Sequence, residues 1–84
     1  MARYYLNIRN GGGYVEDAEG QELPDLAAAR LQAIEGVRSV LSEEARQGEI
    51  DLSGSIEIAD QAGNILLVLP FSEAVHLRLS EKEA

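Results

Sequence analysis

The rhythm of apolar and polar residues along this chain separates strands from a single long helix. Tyr4-Tyr5-Leu6-Asn7-Ile8-Arg9 alternates with a period of two, which puts Tyr4, Leu6 and Ile8 on one face and Tyr5, Asn7 and Arg9 on the other. Asn10-Gly11-Gly12-Gly13 reads as a turn, because Asn and Gly accept positive φ at little cost. Tyr14–Asp17 is then expected to return as a short second strand. Ala18–Gln21 turns again, and Glu22-Leu23 leads outward. From there the period lengthens. Leu26, Ala29, Ala33, Val37, Val40 and Leu41 form one stripe of helical spacing with Ile34 on its edge, predicting a helix from Leu26 to about Gln47.

The start of that helix is well signalled. Pro24 disfavours helical backbone before it, and Asp25 can accept hydrogen bonds from the free N–H groups of the first turn. A carboxylate there also complements the positive end of the helix dipole. Gly48 is placed to end the helix. Gly36 in its interior costs about 1 kcal/mol relative to Ala, so it is expected to admit a close backbone approach or a small bend. Leu31 lies off the stripe, over a satellite contact or a partner.

Beyond the helix, Glu49–Gly54 reads as a loop with Ile50 and Leu52 turned inward. Ser55–Asp60 alternates again with Ile56 and Ile58 inward, and Gln61–Asn64 makes a hairpin turn. Ile65–Leu69 is apolar on both faces, the pattern of a central or doubly covered strand, and Pro70 ends it. Phe71–Val75 reads as a helical turn capped by Ser72, and His76–Leu79 either extends that turn or forms a short edge strand. The expected fold is α+β: a small antiparallel sheet in β-β-α-β-β order, one long helix packed on one face, and a short C-terminal element. All of residues 1–84 form a single domain, with an ordered core over about residues 3–79 and a polar tail from Ser80 to Ala84.

Composition narrows the function classes. A chain of 84 residues buries only about 60–65% of the surface its unfolded form exposes, so a partner or a second copy would help cover apolar surface. Cysteine is absent, which removes disulfides, thiolate metal sites and a Cys nucleophile. Residues 1–10 lack the apolar core of a signal peptide, and no apolar run reaches the roughly 18 residues of a membrane span; a cytoplasmic protein is expected. The net charge of −8, with scattered Lys and Arg, argues against direct nucleic-acid binding and suits solubility or a basic partner.

Catalytic chemistry is not advertised. His76 is the single histidine, and no Ser or carboxylate stands at a spacing that would make a nucleophilic set with it. Gly11-Gly12-Gly13 lacks the Lys-Ser/Thr of a phosphate loop and opens onto a strand. Aligning Gly20 with the glycine of a calcium-binding EF-hand loop puts Val15 and Leu26 at ligand positions, so that motif is rejected. Asp17, Glu19 and Glu22 could hold a cation only weakly and irregularly, and a solvated acidic loop is the favoured reading. Tyr4, Tyr5 and Tyr14 lack the basic groove of a stacking platform for single strands and are read as cross-strand packing. The residues left for recognition are Tyr5 and Arg9 on the polar strand face, with Glu16, Asp17, Glu19 and Glu22 of the acidic turn. No catalytic residue, metal ligand or cofactor is expected.

Three blocks carry a resemblance: Arg3 through Gly11, Asp17 through Arg30, and Gly63 through Phe71. Together they resemble a family of short alphaproteobacterial proteins known as a domain of unknown function, with a Gly-x-Glu-Leu-Pro-Asp-Leu run ahead of Ala-Ala-Arg as its most specific part. Members often carry histidine where this chain has Asn7 and aspartate where it has Asn10. The resemblance implies a stand-alone domain and carries no site over. A looser similarity is to HicB-like antitoxins, which also open with a strand hairpin and an Ala- and Glu-rich helix. The residues after Phe71 are too few for the DNA-binding segment those proteins usually add.

The expected function is therefore a non-enzymatic, acidic protein–protein interaction module, with a protein partner of basic character or a homodimer. A HicB-like antitoxin or inhibitor that mimics nucleic-acid charge against a basic enzyme is the alternative. A small-ligand binder is the third reading, and it requires a polar pocket beneath the helix.

Overall fold

The computed structural model describes residues 1–80. The alternation at the N-terminus forms strand β1, Ala2–Asn10, which extends beyond the expected Tyr4–Arg9 at both ends. On one side β1 pairs antiparallel with β4 (Ser55–Ala59), with Tyr5 opposite Ala59, Asn7 opposite Glu57 and Arg9 opposite Ser55. On its other side lie two three-residue strands end to end. β2 (Gly13–Val15) pairs with the C-terminal end of β1, and β3 (Gln21–Leu23) with the N-terminal end. β3 takes the place of the expected lead-out to the helix. β5 (Ile65–Pro70) pairs with β4 and ends the sheet, which runs β2-β1-β4-β5.

Helix α1, Leu26–Arg46, starts as the Pro24-Asp25 signal demands. Asp25 is extended, and its carboxylate accepts the Ala28 N–H at 2.9 Å. Ala29, Ala33, Val37 and Leu41, four residues apart in succession, bury against one sheet face. That face presents Tyr4, Leu6 and Ile8 from β1, Ile56 and Ile58 from β4, and Leu67 and Leu69 from β5. Phe71 and Ala74 close the core beneath the helix, and Arg38 Nε donates to the Ala74 carbonyl at 2.8 Å, tying the C-terminal turn to α1. Among the described residues no helix is long and apolar enough to cross a membrane.

Several local expectations are corrected. β5 is an edge strand covered on one face, not a central or doubly covered one. A single helix can cover only one side of the sheet, so Leu67 and Leu69 pack while Ile65 and Val68 stay exposed. Gly36 meets no other backbone: a Cβ there would have only Ile56 Cδ1 within 4 Å, at 3.8 Å. Ile50 is exposed, because the loop is organised by polar contacts instead; Asp51 N–H donates to Glu44 Oε1, and Ser53 donates through N–H and Oγ to Asp51. Leu52 does pack against the core. The turn after β5 is a single 3-10 turn, Phe71–Glu73, whose preceding residue is Pro70, and no side chain caps it, Ser72 included. His76–Leu79 forms neither helix nor strand. The expected polar tail lies outside the described residues from 81 onward.

Candidate functional site

The sheet face away from α1 carries the odd-numbered side chains of β1. Strand alternation sends Arg3, Tyr5, Asn7 and Arg9 there, and the register adds Tyr14 opposite Arg9, Glu57 opposite Asn7, and Val68 opposite Glu57. Among the described residues no helix or strand crosses this face. A cleft of about 370 Å³ opens on it, walled by Tyr5, Tyr14, Glu16, Asp17 and Glu57, with the Asp60–Gly63 turn at one end.

One end of the cleft is a closed polar cluster. The Arg9 guanidinium stands over the Tyr14 ring, 4.5 Å from its centroid, and also pairs with Glu57 at 3.4 Å. The Tyr14 hydroxyl donates to the other Glu57 oxygen at 3.4 Å. Partial desolvation raises the Tyr14 pKa. The nearby Glu57 charge, its hydrogen bond and Glu16 push the same way, against Arg9. The phenol is therefore a neutral donor across the physiological range, not a base.

The other wall is built by Asp17 and Asn7. Because β2 and β3 pair with β1 in registers that leave a gap between them, the outward N–H of Leu6 lacks a strand partner. The Asp17 carboxylate fills that gap: Oδ2 accepts Leu6 N–H at 3.2 Å, and Oδ1 accepts Gly20 and Glu19 N–H at 3.1 and 3.3 Å. In return Asn7 Oδ1 accepts the Asp17 N–H at 2.8 Å, which fixes the orientation of an amide only 7% exposed. Gly20 follows at φ +70°, passing so close to the Tyr4 carbonyl that a Cβ would stand 2.9 Å from it.

The expected contact residues thus fall into two groups. Tyr5, Glu16 and Asp17 line the cleft, and Arg9 sits on its rim through the Tyr14–Glu57 cluster. Glu19 and Glu22 lie outside it; the Glu19 carbonyl accepts from Arg3 at 2.6 Å, and Glu22 pairs with Arg3 at 3.3 Å. Asn7, Tyr14, Glu57 and Asp60 were not singled out by the sequence. Glu57 could have been read as outward from its place between Ile56 and Ile58, but its meeting with Arg9 depends on the pairing of β1 with β4. Among the described residues no three carboxylate or imidazole groups converge as a metal site. The arrangement offers a shape, two aromatic rings and excess negative charge.

Residues 3–72 match the model of a family described as a domain of unknown function (DUF6894). No curated protein and no solved structure matches the chain.

Proposed function

We propose that this chain, which belongs to the DUF6894 family over residues 3–72, is a non-enzymatic protein–protein interaction module that engages its partner through the helix-free sheet face. The observation that carries this reading is that face itself. Among the described residues it is uncovered, it brings Tyr5, Arg9, Tyr14, Glu16 and Glu57 around one cleft, and its chemistry is that of recognition. The partner is basic: Glu16, Asp17, Glu57 and Asp60 border the cleft, and among the described residues Arg9 opposes them there through its pair with Glu57. On the resemblance of the Gly20–Arg30 block we also read the chain as alphaproteobacterial, and on its composition as cytoplasmic.

The acidic border also favours a second, narrower form, an antitoxin or inhibitor that presents carboxylates to a basic nucleic-acid enzyme. Its mark is growth rescue when the chain is co-expressed with that enzyme.

Affinity capture from the native lysate after nuclease treatment tests the reading, using three baits. Wild type and the helix-surface control Glu35→Lys should retain the same protein, and Tyr5→Ala/Glu16→Lys should lose it. The captured complex should weaken as salt rises. Equal capture by all three baits would remove the open face from the model.

A further inference from the structure

We propose that the free edge of β5 pairs with the same edge of a second copy, giving a two-fold dimer with one continuous sheet. The inference goes beyond the partner-binding reading and stands without it.

The two edges of the sheet are treated differently. The outer side of β1 is occupied by β2 and β3, and the gap between them is closed by the Asp17 carboxylate on Leu6 N–H. Among the described residues β5 has no strand on its outer side. Its hydrogen-bonding polarity follows from one bond: Phe71 N–H donates to the Gly54 carbonyl at 2.9 Å, in the same register as the rest of the β4–β5 ladder. Antiparallel alternation then directs the N–H and C=O of Leu67 and Leu69 to β4, and those of Val68 to the free edge. Soluble proteins blunt such edges with charge, Pro or a bulge. Here Ile65–Pro70 carries no charged residue, although the chain has 22 (Lys and Arg 7, Asp and Glu 15). The register skips Leu66, passing from Leu67 opposite Ile58 to Ile65 opposite Ala59, and Pro70 comes last; between that bulge and the proline, Leu67–Leu69 is an open apolar edge. Ile65, Leu66 and Val68 are 55%, 41% and 50% exposed.

A second copy fits this edge better than a basic protein does. An uncharged strand offers nothing to lysine or arginine but matches an identical uncharged strand. Antiparallel self-pairing centred on Val68 sets Leu67 opposite Leu69 of the second copy, apolar against apolar, with both helices on one side of the joined sheet.

Charge at the strand ends gives the dimer a signature. Asp60 precedes the turn into β5 and Glu73 follows the strand, so the two-fold axis brings acidic ends together. Self-association should strengthen with salt, the opposite of a complex with a basic protein. The test is sedimentation of the full chain from roughly 5 to 500 µM in about 50 and 500 mM NaCl. The expected result is a concentration-dependent shift from 9.1 kDa toward twice that mass, more complete at high salt. Val68→Lys, on an exposed position beside Glu57, should keep the fold and weaken the dimer at least tenfold, since like charges face each other across the axis. Glu16→Lys, on the open face, should leave the dimer intact even if it abolishes partner capture. Amide exchange reads the edge directly: Val68 N–H should be protected only at dimer-forming concentrations. A monomer at every concentration, or a dimer indifferent to Val68→Lys with a freely exchanging Val68 amide, would overturn the proposal.

Discussion

Replacing Asp17 with alanine isolates the part of the acidic turn that holds the fold. The carboxylate accepts three backbone N–H groups, those of Leu6 and Gly20 in part-buried positions and that of Glu19 in the open. At about 1 kcal/mol for each part-buried bond and less for the exposed one, the loss sums to about 2–3 kcal/mol. A domain of this length has only about 4–12 kcal/mol in total, so the melting temperature should fall by roughly 8–20 °C. Asp17→Asn should be intermediate, because its amide nitrogen would face Leu6 N–H while its oxygen still accepts from Gly20 and Glu19. Glu16→Ala is the control: its carboxylate has no hydrogen-bond partner among the described residues, and the change should stay within about 0.5 kcal/mol. Urea and thermal unfolding followed by circular dichroism measure all three. If Asp17→Ala also stays within about 0.5 kcal/mol of wild type, the gap between β2 and β3 is sealed by something other than this side chain.

Val37→Asp should abolish cooperative unfolding at 25 °C, since Val37 is fully buried between α1 and the sheet and no partner there could satisfy a charge; circular dichroism reads it. Gly36→Ala should raise stability by about 1 kcal/mol, because the helix gains propensity and the new methyl group meets only Ile56 Cδ1 at an ordinary contact distance; urea unfolding measures it. The carboxyls of Asp60 and Asp51 are held below the usual range, Asp60 first by the Asn64 side chain and Asp51 by the Ser53 hydroxyl, with backbone N–H groups adding to both. A depressed folded-state pKa gives stability that is present above the ordinary carboxylate range and lost as pH falls through the depressed values. The melting temperature should therefore drop below about pH 4, and Asp60→Asn should flatten that acid limb.

The helix and its buried face were legible because both signals are local. Asp25 caps the first turn whatever lies elsewhere, and Ala29, Ala33, Val37 and Leu41 repeat at a spacing that only a helix places on one side. Strand alternation likewise sorted Tyr4, Leu6 and Ile8 from Tyr5, Asn7 and Arg9. What the sequence hid depends on pairing. The run Ile65–Leu69 is apolar on both faces, and only its last place in the strand order and the lack, among the described residues, of a layer over the second face leave Ile65 and Val68 exposed. Asp17 looks like any acid of a solvated turn until β2 and β3 take registers that strand the Leu6 N–H beside it. Glu57 becomes part of the Arg9–Tyr14 cluster only once β4 lies against β1.

The same distinction bears on how an acidic face would act on a partner. A net charge of −8 overstates the carboxylates free to make contacts. Asp17 and Asp60 hold backbone N–H groups, Glu57 is paired with Arg9, and Glu22 with Arg3. Glu16 is left as the cleft carboxylate without a partner among the described residues, beside the half-buried Tyr5 ring. The long-range field, by contrast, counts every charge, engaged or not. For a basic partner, association rates should follow net charge and salt, and dissociation should follow Tyr5 and Glu16. Neutralising surface acids far from the cleft should slow binding without shortening the life of the complex.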